Sequence, residues 1–336
     1  MFGISIIVVS YNSATIIEPT LHCLFSQKYT GNNPWEIIFV NNNSSDNTVE
    51  MAQNLASKAN IDRFKIIHEN RPGTAFARFK GVEAAQYDII CFVDDDNRVA
   101  SNWIEKVLEL MQNEEIGILG CGGTGEFEAT PPDWFETEKE AYAIGSLYPN
   151  QALLDTTFDA NLPTAGMCIR KEIFANLKEQ NWQAQLSGRI GDSQAPGEDT
   201  ELCQAARLLG YKTFYTNELH FIHYMPKSRI SWERFLKMTY GFGVTDVFLL
   251  PYKLVYDKRF TGSDFKYFFR KLWYINYLGK KIALFFGYFK YKSGKMTKAN
   301  FEKITARNAG FCETILKEKD KFKRSFFEVQ KLTKII

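Results

Sequence analysis

Three carboxylates stand in succession at Asp94, Asp95 and Asp96, directly after the apolar run Ile89 to Val93. Such a cluster repels itself unless a cation neutralises it. Its oxygen donors suit Mg2+ or Mn2+, which bridge carboxylates to phosphate oxygens and stabilise a departing diphosphate. The other reading is an acidic turn that caps the next helix, with Asn97 or Ser101 as the cap.

Four further features carry chemistry. The turn Asn41-Asn42-Asn43-Ser44-Ser45-Asp46 has the short amides and hydroxyls that suit a base or ribose pocket, and equally a tight turn with a helix cap. Gly197-Glu198-Asp199 stands ahead of a helix, where a carboxylate can serve as general base or simply favour the helix macrodipole. Arg78 is either a solvent-facing helical arginine or a phosphate or carboxylate partner between two ligand loops. His223 is one of only four histidines, and reads either as a packed histidine or as a metal ligand at a strand end.

The elements that must hold these groups are legible as patterns. Ile4 to Val9, Ile37 to Val40, Ile89 to Val93 and Ile116 to Leu119 are short continuous apolar runs, as expected for strands buried on both faces. Between them lie segments with three- and four-residue apolar spacing, after Ser44-Ser45-Asp46 and after Pro72-Gly73. Strand and helix alternate, so the first ~120 residues read as α/β with a mostly parallel central sheet flanked by helices. Residues 121–165 read as loops with mixed strands. Ile173 to Leu177 and Thr200 to Leu209 read as helices, and Thr213 to Thr216 as a strand. Gly120-Cys121-Gly122-Gly123-Thr124-Gly125 matches G-x-G-x-x-G, but Glu126, Glu128, Pro131 and Pro132 follow where a helix should start, so a dinucleotide fold is excluded.

The 336 residues are 45% hydrophobic and 24% charged, an ordinary globular composition. The net charge of +2 hides an asymmetry. Residues 1–225 hold 16 Lys and Arg against 30 Asp and Glu; residues 226–336 hold 25 against 9. The boundary is placed there, giving a catalytic domain over 1–225 and a helical, basic and aromatic segment over 226–336. Asp264 to Tyr291 interleaves Phe, Tyr and Trp with Lys and Arg, a pattern for an anionic membrane interface or for packing on protein. The apolar runs are too short or too charged to span a bilayer. Six scattered cysteines signal neither zinc nor disulfides and fit a reducing compartment. The expected location is cytoplasmic, with peripheral contact at the cytoplasmic face of the inner membrane.

In order and spacing, the motifs resemble those of the family 2 inverting glycosyltransferases of bacterial polysaccharide and lipopolysaccharide assembly. Ile6-Ile7-Val8-Val9-Ser10-Tyr11-Asn12 resembles the opening strand and its Tyr-Asn turn. Glu36 to Asp46 is similar to the family's "VDNGSTD" segment, Gly73 to Arg78 to its "G-x-x-x-AR" helix, and Phe92 to Asp96 to its DxD motif. Thr164 to Arg170 resembles the Gly-rich acceptor-side segment. Gly197-Glu198-Asp199 with Arg207 and Gly210 resembles the "ED…R…G" signature. The resemblance implies a GT-A fold and inverting transfer from a UDP, GDP or dTDP sugar to a glycan or lipid-linked hydroxyl, with no nucleic-acid partner. It assigns Ser10, Tyr11, Asn12, Asn42, Arg78, Asp94 and Asp95 to the nucleotide sugar, Asp96 and His223 to Mg2+ or Mn2+, and Asp199 with Glu198 to catalysis. The family usually has Asp at the first, and often the second, position of the Asn41-Asn42-Asn43 turn. An amide there both accepts and donates, so the nucleobase stays open. Rival expectations are a sugar nucleotidyltransferase, which would need a Gly-rich, Arg-containing loop in place of Ser10-Tyr11-Asn12-Ser13, and a non-catalytic nucleotide-sugar-binding relative.

Overall fold

A computed structural model describes residues 1–148, 152–186, 188, 196–262 and 264–333. In chain order the elements begin with β1 (Ile4–Ser10), α1 (Ile17–Phe25), β2 (Trp35–Asn41), α2 (Thr48–Ala59), β3 (Phe64–His68), α3 (Thr74–Ala84), β4 (Ile89–Asp94), β5 (Asn97–Val99) and α4 (Trp103–Leu110). Next come β6 (Ile116–Phe127), α5 (Trp134–Glu138), β7 (Leu153–Asp155), β8 (Cys168–Arg170), α6 (Lys171–Glu179), α7 (Glu198–Leu208) and β9 (Lys212–Met225). The chain ends in α8 (Trp232–Thr261), α9 (Asp264–Arg270), α10 (Trp273–Lys292), α11 (Lys298–Lys317) and α12 (Lys319–Lys331).

Two compact units result, one of residues 1–176 and 211–230, the other of 177–210 and 231–336. The second unit therefore takes in α7 as well as the basic C-terminal helices, where the sequence suggests a single division after residue 225.

In the first unit the strands run β3-β2-β1-β4-β8-β6-β9-β5, with β7 beside β9. β1 to β4 are mutually parallel. β8 then pairs antiparallel with both β4 and β6, so the sheet is mixed beyond β4. β1 and β2 are buried along their whole length, which is why their sequences are unbroken apolar runs. Register then decides what meets at the carboxyl edge. Ser10 lies opposite Asn41, Asn41 opposite His68, and Val9 opposite Asp94. Open α/β sheets bind ligands at this edge.

The glycines at 120–125 do not open a helix; they lie inside β6. A Cβ at Gly122 would come within 2.6 Å of Tyr215 Oη, and one at Gly123 within 2.5 Å of the Phe221 ring. Glycine lets the aromatic side chains of β9 lie flat on β6. β9 itself runs 14 residues, with a register shift against β6 between Cys121 and Gly122 that absorbs Asn217 to Leu219. That bulge carries the strand on to His223, which sits opposite Asn97 of β5.

In the second unit α8 packs on α11 at glycines. A Cβ on Gly243 would lie 1.9 Å from the Arg307 carbonyl oxygen, and one on Gly310 2.1 Å from that of Tyr240. Glu201 of α7 is fully buried beside these helices. Its carboxylate accepts from Gln185 N and Leu186 N and, at 2.8 Å, from Tyr252 Oη, which itself accepts from Trp182 Nε1 at 2.8 Å.

Candidate active site

Asp94 ends β4, and the next two residues turn the chain into β5. Arg78, on the buried face of α3, donates from Nη2 to Asp94 Oδ1 at 3.0 Å. It is therefore not a solvent-facing helical arginine. Asp95 is anchored twice. Its carbonyl accepts from Thr20 Oγ1 at 3.0 Å, and its carboxyl meets the hydroxyls of Ser13 and Ser10. Burial pushes the Asp95 carboxyl well up, the charges of Asp96 and Asp94 push the same way, and the two serine hydroxyls work against them.

Asp96 is buried, and burial alone would raise its carboxyl. Instead His223 and Arg229 hold it well below the usual carboxylate range. His223 Nε2 lies 3.4 Å from Asp96 Oδ2, and Arg229 Nη1 donates to the same oxygen. Tyr224 N donates to the Asp96 carbonyl at 2.9 Å and ties β9 to this turn.

Asp96 and His223 are the two donors that this corner would offer a divalent cation. Asp96 Oδ1 is buried without a hydrogen-bond partner. His223 Nδ1 lies 2.8 Å from the Tyr142 carbonyl oxygen, which can only accept, so Nδ1 is the donor there and Nε2 is the ring nitrogen turned toward Asp96. Among the described residues no three His, Cys, Asp or Glu side chains converge as a closed metal cage. Two protein donors match a small hard cation that takes its remaining ligands from phosphate and water.

The loops on the β1 and β2 side are laced together. Asn12 takes left-handed backbone at φ 51°, which asparagine tolerates; its N–H donates to Ser44 Oγ at 3.0 Å and its Oδ1 accepts from Ser45 N at 2.8 Å. Ser13 N donates to Thr48 Oγ1, and Asp46 accepts from both Ala14 N and Thr48 N, so Asp46 ties the loop after β1 to the first residue of α2. Tyr11 is 61% exposed at this rim.

The three asparagines have separate duties. Asn41 Oδ1 accepts from Ser44 N, while its Nδ2 lies 3.2 Å from His68 Nδ1. Asn43 supplies left-handed backbone at φ 65°. Asn42 is buried; its Nδ2 donates to the carbonyls of Glu69 and Arg71 at 2.9 and 2.7 Å, and its Oδ1 accepts from Gly73 N at 3.1 Å. The Asn42 side chain thus shapes the loop between β3 and α3. That loop is stiffened by Arg71, whose side-chain hydrogen bonds hold the Glu69 carboxyl down at about 2.

Glu198 and Asp199 open α7 in the second unit. Gly197 precedes them at φ 116°, where a Cβ would lie 2.3 Å from Thr245 Cγ2, so glycine is required. Glu198 Oε2 accepts from Gly197 N at 3.1 Å, and Asp199 Oδ1 from Thr200 N at 2.7 Å. Both carboxylates are half-buried at the positive end of the helix.

Sequence patterns anticipated Ser10, Arg78, the acidic run and His223, and the first unit brings these together. They did not anticipate Arg229 or the Tyr142 carbonyl. The only sequence trace of Arg229 is its place six residues after His223.

The sequence profile described as "Glycosyl transferase family 2" matches residues 5–177, more than half of the chain. The chain belongs to glycosyl transferase family 2. As a family 2 chain it is similar to the putative glycosyltransferase EpsH of Bacillus subtilis, 35% identical over 128 residues, covering 38% of this chain and 36% of that protein. It is also similar to the putative teichuronic acid biosynthesis glycosyltransferase TuaG of B. subtilis, 30% identical over 46% of this chain and 58% of that one. Glycosyltransferase AglE of Haloferax volcanii is 28% identical over 66% of each. The match to EpsH thus spans about a third of each protein. Among solved structures, residues 1–349 of S. aureus TarS in complex with UDP-GlcNAc superpose with a TM-score of 0.52 at 14% identity, over 95% of this chain and 92% of that one. That likeness shows the fold, which is the GT-A fold.

Proposed function

We propose that this family 2 chain transfers a sugar from a nucleoside-diphosphate sugar to a hydroxyl of a glycan or lipid-linked acceptor, with inversion. The observation that carries the reading is the constellation at the carboxyl edge of β1 and β4: Ser10, the Arg78–Asp94 pair, Asp95, and Asp96 beside Nε2 of His223. The relatives named for polysaccharide assembly and the nucleotide sugar of the TarS complex support the same class of donor and product.

In this reading Asp96 and His223 hold Mg2+ or Mn2+, which supplies Lewis-acid stabilisation of the diphosphate leaving group. Arg78 orients Asp94 and adds positive charge beside the phosphates. Tyr11 and Asn12 form the rim over the nucleoside, and the buried Ser10 holds Asp95 beneath it. Asn42 acts at one remove, by fixing the backbone of Arg71 to Gly73. Asp199 takes the acceptor proton as attack proceeds, with Glu198 beside it; this assignment rests on the Gly197-Glu198-Asp199 motif and its helix N-terminal setting. Attack opposite the diphosphate gives inversion.

The test is nucleotide release from a panel of UDP-, GDP- and dTDP-sugars with and without Mn2+, for the wild type and Asp199→Asn. Metal-dependent release with one nucleotide class is expected, and Asp199→Asn is expected to bind donor normally while losing transfer. An Asp199→Asn variant with wild-type turnover would remove the base assignment.

The second unit suggests where the acceptor is met. Leu278, Ile282, Phe285 and Phe289 recur along one face of α10, each more than half exposed, and Phe265 and Phe268 of α9 are exposed as well. Residues 265–301 contain nine Lys and Arg and no Asp or Glu. Among the described residues no helix is long and apolar enough to cross a membrane. An aromatic face in a wholly cationic setting matches the surface of an anionic bilayer, where α10 would lie in the interface plane.

A further inference from the structure

Arg229 belongs to the short 3-10 turn Lys227–Arg229 that follows β9, and its backbone N–H donates to the Pro226 carbonyl at 2.9 Å. Its guanidinium reaches back into the acidic corner. Nη1 donates to Asp96 Oδ2 and lies 3.4 Å from His223 Nε2. These are the carboxylate and the imidazole nitrogen that the cation reading assigns to Mg2+ or Mn2+. One Arg229 nitrogen thus addresses both donors at once.

We propose that Arg229 and a divalent cation compete for Asp96 and His223, so that the cation enters this corner together with a diphosphate, onto which the displaced guanidinium turns. The inference rests on the metal-and-diphosphate reading given above. Its electrostatic logic is direct. Three successive carboxylates face two guanidiniums, Arg78 on Asp94 and Arg229 on Asp96. A divalent ion that reaches Asp96 Oδ1 and His223 Nε2 alone sets its charge against the guanidinium already on Oδ2 and Nε2, and weakens the Arg229–Asp96 pair with no other anion to take its place. A diphosphate arriving with the ion supplies that anion. The planar fork of donors on arginine suits two phosphate oxygens as well as it suits a carboxylate. The side chain is about a quarter exposed, so it has solvent on one side into which to move. The Tyr142 carbonyl fixes the His223 ring independently of Arg229, so the donor geometry does not collapse when the guanidinium leaves.

The experiment titrates Mn2+ into the full chain without nucleotide, following free Mn2+ by electron paramagnetic resonance, and repeats the titration with inorganic pyrophosphate present. Arg229→Gln should bind Mn2+ alone about tenfold more tightly than the wild type, because the competitor is gone. With pyrophosphate present the advantage should vanish or reverse. Adding Asp96→Asn to Arg229→Gln should abolish the gain, which ties it to this corner. If the Gln variant does not fold, Arg229→Lys, which keeps the charge but loses the fork, should show a smaller gain of about two- to threefold. An unchanged or weaker Mn2+ affinity in a folded Arg229 variant, with wild-type Mn2+–pyrophosphate binding intact, overturns this inference alone. Failure of the wild type to bind Mn2+ with pyrophosphate overturns the metal reading and this inference with it.

Discussion

His223 Nδ1 lies 2.8 Å from the carbonyl oxygen of Tyr142, which makes Nδ1 a donor and turns Nε2 toward Asp96. A backbone acceptor cannot be removed by mutation, so the imidazole itself is the test. His223→Ala should raise the Mn2+ concentration needed for half-maximal activity by about tenfold to a hundredfold, the range typical of metal-site perturbations. Excess Mn2+ should restore part of the rate, and chelation should silence the wild type. A His223→Ala enzyme with an unchanged Mn2+ requirement would remove the histidine from the donor set.

Asn42 makes a different kind of prediction, because its amide is committed to three backbone groups. Asn42→Asp restores the residue common in the family at that turn, yet it would aim a carboxylate at the carbonyls of Glu69 and Arg71, which now accept at 2.9 and 2.7 Å. Two donors are lost and two acceptors repel a charge, at a cost of about 3 kcal/mol. The new carboxyl would have its folded-state pKa raised. Its penalty is therefore smallest below the ordinary aspartate pKa of about 4 and grows as pH rises. Urea midpoints at acidic and at slightly alkaline pH should diverge for Asn42→Asp more than for the wild type. Equal divergence would mean that Asn42 does not hold the loop.

These two cases mark what the chain reveals before folding. The strands β1, β2 and β4 are legible because a strand buried on both faces must be apolar throughout, and Ile4 to Val9, Ile37 to Val40 and Ile89 to Val93 are. β3, Phe64-Lys65-Ile66-Ile67-His68, escapes that signal because it is only partly buried. β6 hides its second half in glycines, whose lack of side chains reads as loop but serves close packing on Tyr215 and Phe221. The acidic run was legible as chemistry, since three adjacent carboxylates need positive charge beside them, which Arg78 and Arg229 supply in the fold. Arg229 was not, because its meeting with Asp96 spans 133 residues and depends on the pairing of β5 with β9 and on the bulge within β9. The asparagine turn was half legible: its residue types indicate turns and amide hydrogen bonds, but only the fold shows that Asn42 points at backbone.

Glu201 supplies a pH dependence in the second unit. Burial pushes its carboxyl up from 4.5 to about 7, against the backbone donors Gln185 and Leu186, the Tyr252 hydroxyl and the charge of Lys321. A folded-state pKa above the unfolded one means that the folded chain binds the proton more tightly. The group's contribution is fully present below pH ~4.5 and is lost as pH rises through ~7, at no more than about 1.4 kcal/mol per pH unit. Thermal unfolding followed between pH 5 and 8 should show stability falling over that window. Glu201→Gln, which cannot titrate, should lack this slope, although it is less stable overall because an amide hydrogen would face the Leu186 or Gln185 N–H. A Glu201→Gln variant with the wild-type pH profile would assign the slope to another group.

The aromatic face of α9 and α10 gives the most direct physical test. Exposed Leu278, Ile282, Phe285 and Phe289 cost nothing in the folded chain alone, yet contiguous apolar surface of this kind marks an interaction site. A bilayer would remove these side chains from water while its anionic headgroups met Lys281, Lys290 and Lys292 on the same helix. The full chain should co-sediment with vesicles containing phosphatidylserine or phosphatidylglycerol, and far less with neutral phosphatidylcholine vesicles. Raising salt should weaken the attachment, because the attraction between the lysines and the headgroups is screened over about 8 Å at physiological ionic strength. Ile282→Glu with Phe285→Glu should release the protein even at low salt, since it replaces buried apolar area with charge repelled by the surface. Neither residue is among those assigned to the donor or to catalysis, so nucleotide-sugar turnover on a soluble acceptor should stay at the wild-type level. Vesicle binding that survives the double substitution would show that α10 does not lie in the membrane interface.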